Sequence, residues 1–408
     1  MPRRHDLDWV RVCAFALLVL YHVGMYYVTW EWHVDSPYAS PALEPFMMLS
    51  SPWRLGLLFL VSGAATAFLL GKARAEATRD GGRIRFLGPR SWRLLVPLLF
   101  GMLVIVPPQS YYEVVDKLPG GYHDGYLAFW GRYLAADGSF CRGDDCLILP
   151  TWNHLWFVAY LWVYTVVLWL LARCVPGALE GAGVRLAAGL SSGIGILLWP
   201  ITFFALARVA LIGIFDSTHA LVDDWYNHVQ YFALFLLGFS IARAEAVWDA
   251  MFRRRWLALV LWLGSWLAVV AYFHQFREIA PPQALRLAMR AAWGLNQWCA
   301  IVAILGFARH WAPGDSPALR YLSQAIFPVY ILHQTVIVLL AYHARPLDLP
   351  PLLEGPLLVV LTFGLCFAGY EAIRRIPPLR PLFGLKYRDP ARVGAATTAS
   401  TRSATNGR

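Results

Sequence analysis

A histidine inside a membrane-length apolar run sets the question this chain poses. Residues 8–28, DWVRVCAFALLVLYHVGMYYV, are long enough to cross a bilayer, which takes ~20 residues at ~1.5 Å each. His22 lies within the run and Arg11 at its edge. At ~100° per residue, the steps from Arg11 to His22 complete three turns plus ~20°, so both side chains share one stripe ~16 Å apart along the axis. Asp8 falls a turn earlier on the same side, where it could cap the helix N-terminus. An ionisable group within a span is costly and usually faces a cavity or a partner. The imidazole can serve there as a general base, or sit neutral and hydrogen-bonded between helices.

Further polar residues recur at membrane-relevant positions. Arg90 and Arg93 stand three apart at the start of a predicted helix, in the basic segment KARAEATRDGGRIRFLGPRSWR. Such a pair can hold phosphate groups through charge-assisted bonds, or anchor topology beside anionic lipid. Trp152, Asn153 and His154 open a later span, and His333 falls near the middle of another. A second intramembrane histidine strengthens the case for a polar cavity. Glu371 can pair with Arg374 or Arg375 one turn on. Ser62–Gly63 reads as a site of close helix packing.

These residues need a bilayer to position them. The chain of 408 residues is 58% hydrophobic and only 15% charged, with a mean hydropathy of +0.50. Soluble domains average ~25% charged, so this composition predicts an all-α, multi-pass membrane protein of about ten spans. They fall at about 9–29, 54–71, 92–110, 152–172, 190–213, 228–245, 256–274, 290–309, 321–342 and 356–376. Pro200 interrupts the fifth, which reads as kinked or re-entrant. The formal charge of +10 does not point to nucleic acid, because the basic residues sit in short loops. With the N-terminus inside, alternate loops hold most of the 35 lysines and arginines, which places both termini in the cytoplasm. The expected organisation is one membrane domain over 1–388 and a disordered tail over 389–408, rich in Ala, Thr, Ser and Arg.

The outer loop 111–151 carries Tyr111, Tyr112, Tyr122, Tyr126, Trp130 and Tyr133, which suit either an interfacial belt or stacking against sugar rings. Cys141 and Cys146 share that loop and could form a small disulfide if it faces an oxidising compartment. Cysteine number and spacing give no sign of a metal site. P-loop, nucleophile-elbow, HExxH and dinucleotide fingerprints are missing from the sequence.

From about residue 5 to 380 the chain resembles the acyltransferase-3 family of integral membrane proteins. The family's Asp, Arg three on and His eleven further match Asp8, Arg11 and His22. Its Arg-x-x-Arg matches Arg90 and Arg93, and its Ser–Gly second span matches FLVSGAA at 59–65. YILH at 330–333 and Glu371 in GYEAIRRIP match later motifs. The sequence departs from the polysaccharide O-acetyltransferases in lacking a Glu–Glu pair after Leu155–Phe157. It looks more like the branch of periplasmic-glucan succinyltransferases.

The resemblance implies transfer of an acetyl or succinyl group from cytoplasmic acyl-CoA to a hydroxyl of an extracytoplasmic glycan, at the cell's inner membrane. It makes His22 and Glu371 the candidate catalytic residues, and Arg11, Arg90 and Arg93 the candidate acyl-CoA ligands. Asp8, Trp152, His154 and His333 are candidate substrate-binding residues. Lipid is the expected surrounding partner. The rival reading is a transporter of a glycan or acyl donor, with His22 and His333 lining the passage.

Overall fold

The computed structural model describes residues 4–311 and 314–387, so the tail expected over 389–408 lies outside the described residues. The chain folds as α1 (His5–Met25), α2 (Glu44–Ser50), α3 (Arg54–Asp80), α4 (Leu87–Phe100), α5 (Pro107–Lys117) and α6 (Tyr126–Leu134). There follow α7 (Trp156–Cys174), α8 (Pro176–Ser191), α9 (Gly195–Leu211), α10 (Trp225–Ile241) and α11 (Glu245–Gln275). The last are α12 (Gln283–Trp311), α13 (Pro317–Ala344), α14 (Pro351–Arg375) and α15 (Leu379–Leu382). A two-residue hairpin, Cys141–Arg142 against Asp145–Cys146, is the extended structure among the described residues.

Among the described residues, eight helical segments are long and apolar enough to cross a membrane, or nine if the bent pair α8–α9 is one span. This all-α, multi-pass architecture is the expected one, with fewer qualifying spans than ten. The difference lies partly in α10, whose 17 residues reach only ~26 Å against ~30 Å of hydrocarbon. Near the start of the fifth expected span the chain bends by 111° between α8 and α9. The break is not at Pro200, however. It falls at Ser192–Ile194, where Gly193 takes a left-handed φ of +53°. Pro200 sits inside α9 because its main defect is repaired: lacking an N–H, it leaves the Ile196 carbonyl unpaired, and the buried Trp298 indole donates to that oxygen at 2.6 Å.

By contacts the chain forms two compact units, Met1–Pro89 with Trp156–Ser323, and Arg90–Leu155 with Gln324–Arg408. In the first, α3 and α10 run parallel with their backbones touching. A Cβ on Gly63 would stand 1.9 Å from the Phe235 carbonyl oxygen, and one on Gly238 would stand 1.9 Å from that of Leu60. Small residues permitting such an approach are how helices associate where burial from water offers no drive. Phe59 on α3 is fully buried, with Phe157 at 4.5 Å and Tyr231 at 4.8 Å between ring centroids. Helices α11 and α12 pair along their lengths, and α9 packs on α12.

In the second unit, α4 continues through a π turn at Gly101–Ile105 into α5, with Pro107 opening the new helix. The loop beyond has its own apolar core of Val114, Phe129, Tyr133, Phe140 and Leu149. Tyr111, Tyr122 and Trp130 pack against it. These rings, expected as interfacial belt or sugar platform, also help to hold the loop together. The Tyr133 hydroxyl donates to the Met102 carbonyl at 2.8 Å and accepts the Thr151 N–H at 3.0 Å. Cys141 and Cys146 form a disulfide at the base of the hairpin.

Candidate active site

In the first unit, α1 carries the predicted stripe. Asp8 does not cap it, since the helix starts at His5 with Arg4 as cap residue. Asp8 sits inside the first turn and pairs with Arg11 at 3.3 Å, as their spacing of three permits. His22 lies in the last turn, its ring 6.1 Å from that of Tyr21. The Arg54 guanidinium covers the Tyr21 ring at 3.2 Å, and the Tyr21 hydroxyl is 3.5 Å from that of Ser51. Arg54 is the first residue of α3 and is only 7% exposed.

The same unit holds a buried polar cluster that sequence reasoning missed. Asp224, completely buried, accepts hydrogen bonds from the Tyr160 hydroxyl, the backbone N–H groups of Thr218 (3.2 Å) and His219 (3.1 Å), and Asn227 Nδ2 (2.9 Å). From Asn227 the chain of bonds runs to Gln230 (2.6 Å) and on to Gln297 (3.0 Å). The loop that delivers Asp224 is strained, with His219, Leu221 and Asp223 all in the left-handed region at φ 56°, 68° and 64°. His219 stacks on Trp156 at 4.1 Å. Burial pushes its imidazole below the ordinary range; Asp224 opposes that and the Arg54 charge adds to it. The only sequence signal was a polar run, DSTHALVDDWYNH at 216–228, between apolar segments.

In the second unit, the structure brings His154 and His333 together, their rings edge to face at 5.0 Å. Both are buried. His154 Nε2 donates to the Ile331 carbonyl at 3.1 Å, because a carbonyl can only accept, so Nδ1 is the acceptor facing Gln109 Nε2 at 3.4 Å. His333 Nδ1 likewise donates to the Tyr330 carbonyl at 2.6 Å. Gln109 is the hub: its amide donates to Thr335 at 2.7 Å, while its carbonyl accepts Asn153 at 3.0 Å and Gln334 at 3.1 Å. Gln109 and Gln334 were overlooked because neutral amides leave no charge signature in an apolar run. Trp152 immediately precedes this network in the chain. Arg90 and Arg93 lie in the first two turns of α4, where the spacing put them. Glu371, near the end of α14, forms ion pairs at 2.8 Å with both Arg374 and Arg375.

A half-buried histidine on a span, an arginine pair at a helix start and two satisfied polar networks suit group transfer inside a membrane. A family model described as an acyltransferase domain matches residues 4–371. The chain belongs to the acyltransferase-3 family. It is therefore an acyltransferase, and every candidate residue from Asp8 to Glu371 falls inside the matched region. Along its length it is similar to proteins named glucans biosynthesis protein C. Those of Salmonella schwarzengrund (strain CVM19633) and Salmonella heidelberg (strain SL476) are each 21% identical, over 94% of this chain and 95% of the relative. No solved structure matches the chain.

Proposed function

We propose that this membrane acyltransferase moves an acetyl or succinyl group from cytoplasmic acyl-CoA to a hydroxyl of an extracytoplasmic glycan, with His22 as general base. The observation that carries the reading is the stripe of Asp8, Arg11 and His22 on one spanning helix, within a chain of this family. An alcohol is a poor nucleophile toward a thioester, and a positioned base contributes typically ~10²–10⁴-fold. His22 takes the hydroxyl proton. Arg11, held by Asp8, meets donor charge on the same stripe, and Arg90 and Arg93 hold CoA phosphates at the start of α4. His154, His333 and Trp152 serve the acceptor, and Glu371 orients charge through its two arginines. The name of the Salmonella relatives supports a glucan as the acceptor class.

The test is turnover by detergent-purified protein with acetyl-CoA or succinyl-CoA and a soluble glucan. His22→Ala is expected to cost roughly 10²–10⁴ in kcat, while Arg90→Ala raises the donor KM about tenfold, the loss of one charge-assisted contact. Unchanged turnover in folded His22→Ala removes it as base. Glucan movement without acyl transfer turns the reading toward a transporter.

A further inference from the structure

Two arginines among the described residues are buried, and they differ in one respect. Arg380 spends its donors on the carbonyls of Lys386 (2.8 Å) and Arg374 (2.7 Å). Arg54 makes no hydrogen bond and no ion pair among the described residues, and its Nε and Nη1 are buried without a partner. The Tyr21 ring covers the guanidinium face and leaves the in-plane N–H groups unused. A buried, unpaired cation is costly, by several kcal/mol in general, and is retained where charge arrives during function. Arg54 opens a 27-residue helix, so the unpaired amides of that helix end add positive potential in the same place.

We propose that Arg54 holds the oxyanion formed at the thioester carbonyl, a role that rests on the acyl-transfer reading with His22 as base. The spacing fits. A base and an oxyanion donor serving one carbonyl stand roughly 7–8 Å apart, two hydrogen bonds plus the width of the tetrahedral centre. Tyr21 puts both groups at the same end of α1, its ring 3.2 Å from the guanidinium and 6.1 Å from the His22 ring. The acceptor oxygen bonds to the thioester carbon as His22 takes its proton. The carbonyl electron pair moves onto oxygen, where Arg54 donates to it. Collapse re-forms the carbonyl, breaks the C–S bond and returns the proton from His22 to the CoA thiolate.

The experiment compares wild type, Arg54→Gln, Arg54→Lys and Arg54→Ala, with His22→Ala as control, on acetyl-CoA and succinyl-CoA, each variant checked by thermal melting. The expected result for Arg54→Gln is a kcat loss of roughly 10²–10³ on both donors with KM changed less than threefold. Lysine should keep part of the rate, and millimolar guanidinium should restore part of it to Arg54→Ala. A folded Arg54→Gln of wild-type kcat overturns the proposal. So does a loss confined to the KM of succinyl-CoA, which would make Arg54 a carboxylate reader. Wild-type turnover abolished by His22→Ala, beside an unaffected Arg54→Gln, would sink this inference alone. No wild-type turnover would sink the parent reading and this one together.

Discussion

Asp223 and Asp224 are neighbours in the chain, yet one is exposed and the other completely buried. Nothing in their identities separates them; the left-handed turn at Asp223 throws one side chain outward and the next into a cage of donors. The stripe of Asp8, Arg11 and His22 was legible because it depends only on helical geometry. The Asp224 cage was not, because it depends on where a strained loop returns. His219 in that loop gives a test. Its folded-state affinity for protons is lowered from 6.5 by burial, so the native state favours the neutral ring. The stability it lends is fully present above 6.5 and is lost as pH falls below that value toward the lower folded value. Melting temperature should therefore drop as pH falls below about 6.5, and His219→Gln should flatten that part of the profile. An unaltered profile would show that another group governs the acid limb.

At the scale of elements, Ser62–Gly63 announced close packing, but its partner, Gly238 on α10, lies too far along the chain for local pattern to reveal. Each glycine faces the other helix's backbone, which cannot swing aside as a flexible side chain can. Gly63→Val and Gly238→Val should each cost about 2–3 kcal/mol through forced separation of the helices, while Ser62→Ala should cost little. Unfolding in mixed micelles measures both, and a valine variant as stable as wild type would mean that the helices part freely. The misplaced break in the fifth span has an equally physical origin. Proline was the visible breaker, but a tryptophan on α12 satisfies the carbonyl it exposes, while Gly193 turns the chain upstream.

Across the whole molecule, hydropathy alone carried the class, since a chain this poor in charge has few ways to fold outside a bilayer. The number of spans was less legible, because α10 is too short to qualify by length although it lies along α3, a helix that does. Charge asymmetry makes a prediction at this scale. A fluorescent protein fused at either end should fluoresce in the cytoplasm, and alkaline phosphatase inserted near Gly143 should be active; the reverse pattern would invert the protein. The parallel contact of α3 and α10 also has a mechanical consequence. Arg54 heads one helix and Asp224 the other, at the same end of a pair joined backbone to backbone. The spacing of their Cα atoms is therefore set by main chain, as the jaws of a fixed gauge are set by its frame. With Arg54 in its proposed role, such a frame would admit an acyl group by its size and not close around it, so discrimination among acyl chains should fall as a sharp step with chain length.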